Sequence, residues 1–292
     1  MRKTSRSLQR RESFVGLLFA LPSLIGILVF FLVPFSVAVY ISFTQSTHAS
    51  GAVGFGNYLD MLQNRTFLIA IWNTVRFIIV AVPLIMVLSL AVALMLYQKY
   101  RSSRFFCSVF IFPLVLPISS VVLFFQIIFS SDGLINRFVA VLGFSATNWL
   151  QSESAFTVLV MLYIWKNCGY NIILLLAALN SVPKEYYEVV SLETNSTIKK
   201  LWYVTLPIIS PYIFFIICLS IINTFKSFRE AYILCGEHPH TSIYMIQHFM
   251  SNNINNLNYP RLSVAAILVF LATIVMILLA LRFRTQAIER EI

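Results

Sequence analysis

Charged residues are scarce in this chain of 292 residues. Only 11% are Asp, Glu, Lys or Arg, whereas a soluble domain carries about 25%. Apolar residues make up 59%, and the mean hydropathy is +0.83. A water-soluble fold with this composition would have to expose large apolar patches, which monomeric soluble proteins avoid. The composition therefore indicates a membrane protein with several spans.

Cysteine and glycine are also sparse, with four and nine residues. These numbers exclude a disulfide-rich secreted scaffold and a collagen-like fibre. The pair His238 and His240 lacks the further thiolate or carboxylate ligands that a metal site needs. No G-x-x-x-x-G-K-[ST] phosphate-binding loop is present. We therefore expect no metal, no cofactor and no catalytic residue in this chain.

Six long apolar stretches predict an all-α, polytopic membrane protein with six transmembrane helices. Each stretch approaches or exceeds the length of about 20 residues that a bilayer core requires, and continuous apolar runs favour helices over barrel strands. Only the fourth stretch contains a charge, Lys166. The stretches are 14–43, 77–98, 105–131, about 155–180, 201–225 and 262–281.

The basic residues predict the orientation of these spans. The net charge is +10, and Lys and Arg cluster in short segments between the spans rather than in a stripe that could bind nucleic acid. Fourteen lie on the side that holds both termini and six on the other side. The positive-inside rule therefore places both termini in the cytoplasm. We divide the chain into an amino-terminal segment with the first span (1–66), a permease-like core (67–285) and a tail (286–292).

The loop between the fourth and fifth spans is the most informative segment. Pro183 suits the start of a helix, and residues 184–193 have acidic residues on one side and apolar residues on the other. Asn195 or Ser196 can end this helix and cap a second one. The loop, 181–207, thus predicts two short amphipathic helices on the cytoplasmic surface, which need a partner or lipid to cover their apolar faces.

In this loop the sequence resembles the permease subunits of binding-protein-dependent ATP-binding-cassette (ABC) importers, whose hallmark is E-A-A-x3-G-x9-I-x-L-P. Glu188-Val189-Val190 aligns with E-A-A, Thr194 with the glycine, and Val204-x-Leu206-Pro207 with I-x-L-P. The spacing is kept, although Glu193-Thr194 replaces the usual Asp-Gly. Because threonine adopts positive φ less easily than glycine, we expect the turn to move to Asn195.

Further stretches resemble the carbohydrate-uptake branch of maltose, lactose and glycerol-phosphate systems, among them FPLVLP (112–117), VPKEYYE (182–188) and FKSFREAYIL (225–234). This resemblance implies a bacterial inner-membrane protein that translocates a sugar, oligosaccharide or polyol derivative. Its implied partners are a second, different permease subunit, a cytoplasmic ABC ATPase dimer that carries ATP and Mg²⁺, an extracytoplasmic solute-binding protein and membrane lipid. The residues implied to couple to the ATPase are Glu185, Tyr187, Glu188, Val189, Val190, Glu193, Thr194, Val204, Leu206 and Pro207.

Lys166 is the strongest signal within a span. A lysine at a helix centre costs about 2.5–3.5 kcal/mol on insertion scales, so it should face the bundle interior or a cavity. It either pairs with a carboxylate or carbonyl groups for packing, or it serves substrate or gating directly. Four neighbours share the second hypothesis, because sugar sites use aromatic faces with amide and hydroxyl groups, and Gly169 is expected to loosen the helix. These neighbours are Trp165, Asn167, Gly169 and Tyr170.

Two other classes of protein compete with this interpretation. A stand-alone secondary transporter or channel would favour paired carboxylates or inverted repeats within the membrane, yet we predict all eleven Asp and Glu residues outside the spans. An intramembrane enzyme would need a nucleophile and a base, or a metal cluster, at membrane depth. No His, Asp or Glu is predicted there.

Overall fold

The computed structural model describes residues 2–44, 53–98 and 103–289. Within these ranges it contains fourteen α-helices and no β-strand, which confirms the all-α class. The helices are α1 (Arg2–Ile27), α2 (Val33–Ser42), α3 (Gly56–Gln63), α4 (Arg65–Gln98), α5 (Ser103–Val115), α6 (Ile118–Phe129), α7 (Leu134–Val141), α8 (Ala155–Asn180), α9 (Lys184–Glu193), α10 (Thr197–Lys200), α11 (Leu206–Lys226), α12 (Phe228–Cys235), α13 (Ile246–Asn255) and α14 (Tyr259–Glu289).

Five helical stretches among the described residues are long and apolar enough to cross a membrane. They are Val15–Ser42, Arg65–Tyr97, Ile118–Val141, Ala155–Asn180 and Thr197–Cys235. Two shorter apolar helices, Phe105–Val115 and Tyr259–Val275, accompany them. The molecule is therefore a multi-pass membrane protein, whereas the number of six spans and the cytoplasmic termini stay predictions.

The third predicted span, 105–131, is not one continuous helix. Helix α5 ends at Val115, and α6 begins at Ile118 after Pro117, whose φ and ψ of −55° and 133° are not helical. Proline has no amide hydrogen to donate, and it disfavours the helical conformation of the residue before it. The apolar stretch predicted at 105–131 therefore contains two helices, α5 and α6.

The chain divides into two compact units. One comprises Met1–Asn64 with Asn253–Thr273, and the other comprises Arg65–Asn252 with Ile274–Ile292. In the first unit, the side-chain amide of Asn57 donates to the carbonyl oxygens of Ser42 and Thr44, both at 2.9 Å. The predicted domain boundaries after residues 66 and 285 stay predictions, and residues 290–292 of the tail lie outside the described residues.

The second unit is organised around α8, which contributes to three apolar clusters formed by the described residues. Near the end of α8, Ile172 and Leu175 pack in a cluster with residues of α4 and α11. Nearer the amino-terminal end of α8, Leu159 packs in a cluster with Phe77 and Ile85 of α4, and Leu162 packs in another cluster with residues of α6. Because α8 is buried along most of its length, its few polar residues must find partners inside the bundle.

Gly169 allows α8 to lie directly against α5. A Cβ atom at this position would lie 1.9 Å from the carbonyl oxygen of Phe110 and 2.3 Å from its carbonyl carbon. Helix α8 continues through Gly169 without interruption. The glycine therefore serves a close backbone approach, and the expectation that it loosens the helix stays a prediction.

We predict that Gly169→Ala destabilises the protein by about 1–3 kcal/mol, the usual cost of overpacking. The new methyl group would have to displace backbone atoms of α5, which cannot rotate away as a side chain can. Thermal unfolding in detergent, followed by size-exclusion chromatography, measures the loss. Gly26→Ala is the matched control, because Gly26 is also helical and a Cβ there meets no atom within 4 Å. Equal unfolding temperatures for the two variants would contradict the role assigned to Gly169.

His248 lies in α13 and is fully buried. Its Nδ1 accepts a hydrogen bond from the backbone N–H of Met245 (3.3 Å), and its ring packs against Phe228 at 4.8 Å between ring centroids. Within the described part of the chain, no hydrogen-bond partner reaches Nε2. Burial lowers the pKa of His248 to about 4, so the ring is neutral at pH 7.

Acidification should therefore destabilise the protein through His248. The pKa is lower in the folded state than the value of about 6.5 in an unfolded chain, so protons bind preferentially to the unfolded chain below pH 6.5. We expect the contribution of His248 to stability to fall by about 2 kcal/mol between pH 7.5 and pH 5. Comparing the pH dependence of the melting temperature with that of His248→Phe measures it. Identical pH profiles for the two proteins would refute the prediction.

Candidate functional site

A buried ion pair joins α8 to α12. The Nζ atom of Lys166 donates to Oε1 of Glu230, and the two residues are only 9% and 4% exposed. This contact supplies the carboxylate partner that the first interpretation of Lys166 expects. The second oxygen of Glu230, Oε2, is buried and has no hydrogen-bond partner among the residues that the structure describes.

The position of Glu230 corrects the prediction that all acidic residues lie outside the spans. The fifth span was predicted to end at residue 225, because Lys226 and Arg229 follow. In the structure the apolar helical stretch continues to Cys235 and includes Glu230. A charged residue can remain in such a stretch when it is paired, and the pairing partner here is 64 residues away in sequence.

Other polar side chains connect α8 to α11 within the same bundle. The hydroxyl of Tyr163 donates to the carbonyl oxygen of Ser220 at 2.8 Å, and the side-chain amide of Asn171 donates to Oγ of Ser220 at 3.0 Å. The side-chain amide of Asn167 donates back to the carbonyl of Tyr163 at 2.9 Å. The two bonds to Ser220 hold α8 and α11 in a defined register, whereas the bond from Asn167 lies within α8.

A cavity of about 330 Å³ lies beside the ion pair. This volume is at the lower end of the range of about 300–1,000 Å³ that is typical of small-molecule sites. Helices α5, α8, α11 and α12, with Ser227 between the last two, surround the cavity. Its lining is polar at Lys166, Asn167, Tyr170, Asn223, Lys226, Ser227 and Glu230, and apolar at Leu114, Leu219 and Ile222.

The structure brings three of the five predicted pathway residues to this cavity, namely Lys166, Asn167 and Tyr170. The other two lie elsewhere. Trp165 packs on Phe125 at 5.9 Å between ring centroids, and Gly169 faces the backbone of α5. Sequence reasoning missed Leu114 and the lining residues from Leu219 to Glu230. The latter lie at the end of the predicted fifth span or just beyond it, and no local pattern relates them to α8.

The loop 181–207 folds as two helices, as predicted. Helix α9 spans Lys184–Glu193, and α10 spans Thr197–Lys200. Between them Thr194 is extended, with φ and ψ of −153° and 138°. Ser196 caps α10, since its Oγ accepts from the backbone N–H of Lys199 at 3.5 Å.

The expected positive φ at Asn195 is wrong. Among the described residues other than glycine, only Leu257 has a positive φ. The chain turns through extended residues instead, and Oγ1 of Thr194 accepts from the backbone N–H of Ser196 at 3.2 Å. Threonine at the position of the family glycine is therefore compatible with this turn, because the turn does not use the left-handed region.

Helix α9 has one face attached to the spans and one face exposed. On the attached face, the hydroxyl of Tyr187 is hydrogen-bonded to Oγ1 of Thr205 at 2.9 Å. Tyr187, Val190 and Leu206 also pack against the apolar cluster that α4, α8 and α11 share, and Val204 is buried in it. The exposed residues of the predicted coupling set are Glu185, Glu188, Val189, Glu193 and Pro207.

A family comparison matches most of this chain. Residues 85–288 match the family described as binding-protein-dependent transport system inner membrane component. The chain belongs to this family. The match covers the residues around the cavity and helices α9 and α10. It confirms the resemblance found in the loop 181–207.

Individual relatives of this permease are similar over most of their length. It is 33% identical over 227 residues to the arabinooligosaccharides transport system permease protein AraP of Bacillus subtilis, covering 74% of this chain and 71% of that protein. It is 30% identical over 268 residues to the trehalose/maltose transport system permease protein MalF of Thermococcus litoralis, covering 90% and 91%.

A solved structure shares the fold of this permease. A chain of a bacterial ABC transporter involved in the import of the acidic polysaccharide alginate superposes with a TM-score of 0.82, covering 97% of this chain and 99% of that chain. The sequence identity is 20%. This likeness shows that the two chains share one helical fold.

Proposed function

We propose that this permease is a transmembrane subunit of an ABC importer in the bacterial plasma membrane and that it translocates a carbohydrate delivered by an extracytoplasmic solute-binding protein. The main support is the pair of coupling helices. Helix α9 is fixed to the spans through Tyr187 and Val190, while Glu188 and Val189 are exposed for a partner.

A sugar, oligosaccharide or polyol derivative suits the cavity. Amide, hydroxyl and aromatic groups of Asn167, Tyr170, Asn223 and Ser227 line it, and such groups can pair with sugar hydroxyls and stack on sugar rings. Sugars are also the cargo named for relatives, including a lactose transport system permease that is 31% identical over 238 residues. A permease of similar fold occurs in a complex with an alginate pentasaccharide-bound periplasmic protein.

The proposed protein partners are inferred from a missing nucleotide-binding motif and from an exposed apolar helix. Because the sequence has no phosphate-binding loop, ATP and Mg²⁺ belong to a separate ABC ATPase dimer. A second, different permease subunit completes the pathway. Within the stretch Val15–Ser42, the most apolar segment of 18 residues contains no buried residue. This exposure is expected of a helix that faces lipid or another subunit.

Movement of the ATPase is transmitted through the coupling helices to the cavity. Helix α9 follows α8 after three residues, and α10 leads through residues 201–205 into α11. Both α8 and α11 line the cavity. A displacement of α9 by ATPase closure therefore moves two walls of the cavity as rigid elements, with energy from the ATPase's differential affinity for ATP in two states.

The alternative is a stand-alone secondary transporter or channel. Glu230 gives it one supporting observation, since carboxylates within spans serve in proton and ion relays. Its pairing with Lys166 makes the buried unit neutral, which disfavours that role. Uptake that requires ATP and the solute-binding protein would support the importer, and uptake that continues without either would support the alternative.

Glu188→Lys should uncouple ATP hydrolysis from transport. Reversing the charge at the exposed centre of α9 disturbs the contact with the ATPase without altering the packed face. We expect at least tenfold less sugar imported per ATP hydrolysed in proteoliposomes. Glu153→Lys is the matched control, because Glu153 is equally exposed and precedes α8 at its opposite end. Normal coupling in Glu188→Lys would end the docking assignment.

A further inference from the structure

The Lys166–Glu230 pair carries unused hydrogen-bonding capacity. An ammonium group has three donors and a carboxylate has two acceptor oxygens, but the described contacts use one donor of Lys166 and one oxygen of Glu230. A buried polar atom without a partner costs about 1–3 kcal/mol, and more when it is charged. A pair that only balanced charge could be replaced by apolar residues without this cost.

The unused groups lie where a ligand can reach them. Both residues line the cavity. Oε2 of Glu230 is buried in the described structure, so it must turn toward the cavity to meet a ligand. The last torsion of a glutamate side chain is broad, and a partial turn of the carboxylate would present this oxygen beside the remaining ammonium donors of Lys166.

An acceptor beside a donor matches two neighbouring hydroxyl groups. One hydroxyl can donate to the carboxylate of Glu230 while the next accepts from the ammonium of Lys166, and both bonds are strengthened by charge. The buried pair has no net charge, so it disfavours a charged group at this point. Lys226, the third charge on the cavity wall, is exposed.

We propose that Glu230 and Lys166 together form a recognition site for a vicinal diol of an uncharged sugar, with Glu230 a specificity-determining residue for transport. This inference rests on the proposed function and names the chemistry that the cavity selects. Asn167, Tyr170 and Asn223 would contact the rest of the same sugar.

The test uses the complete complex of both permease subunits and the ATPase in lipid nanodiscs. Arabinotriose, maltose, trehalose and lactose serve as probes, and saturation-transfer NMR measures their binding. We expect at least one of them to bind, with the strongest transfer to protons on neighbouring hydroxyl-bearing carbons. Its permethylated form should not bind.

Two variants separate recognition from packing. Glu230→Gln should weaken binding of that sugar at least tenfold. Because that variant leaves Lys166 buried and unpaired, Lys166→Met/Glu230→Met removes both charges together, an exchange that is often neutral or stabilising. We expect the double variant to assemble with the ATPase and to melt no lower than the unaltered complex, yet to show the same loss of sugar binding. Glu153→Gln is the control and should bind normally.

Three results would overturn the inference: normal sugar binding by the double variant, equal binding of the permethylated sugar, or no binding of any probe to the unaltered complex. None of them decides the proposed function, which depends on ATP-driven uptake and on the response to Glu188→Lys. Loss of coupling in Glu188→Lys together with normal binding by the double variant would support the importer and reject the diol site.

Discussion

A charge inside an apolar helix bundle must be compensated where it lies, and in this permease the compensation joins distant parts of the chain. Lys166 on α8 and Glu230 on α12 satisfy one another deep in the second unit. Neither residue could be tolerated there alone, because an unpaired buried charge is strongly destabilising. The pair thus fixes α12 against α8 and places polar groups beside an otherwise apolar wall.

The central position of α8 connects this polar site to the cytoplasmic helices. One end of α8 contributes to the cluster that holds Tyr187 and Val190 of α9, and its middle contributes Lys166, Asn167 and Tyr170 to the cavity. The hydrogen bonds from Tyr163 and Asn171 to Ser220 link it to α11 between these two regions. The residues that hold α9 and many of those that line the cavity therefore lie on the same two helices.

Sequence patterns predicted the structure correctly where interactions between neighbouring residues determine it. Helix α9 begins and ends where Pro183 and the polar residues after Glu193 indicate, and the spacing of the coupling motif identified the family. The same reasoning failed where a distant contact overrides a local preference. Gly169 meets the backbone of Phe110, which is distant in sequence. The turn after Glu193 is a different case, because its extended backbone without positive φ is supported by a local hydrogen bond from Ser196 to Thr194.

The sequence by itself determined the membrane class, the helical fold and the coupling motif, because hydrophobic length, helix periodicity and motif spacing are properties of contiguous residues. Only the tertiary structure decided which carboxylate pairs with Lys166 and which side chains surround the cavity. Glu230 follows two basic residues at the apparent end of a span, so its sequence context resembles that of an ordinary surface glutamate. Its burial becomes visible only when α12 is packed against α8, since the partner that makes burial possible lies 64 residues earlier in the chain.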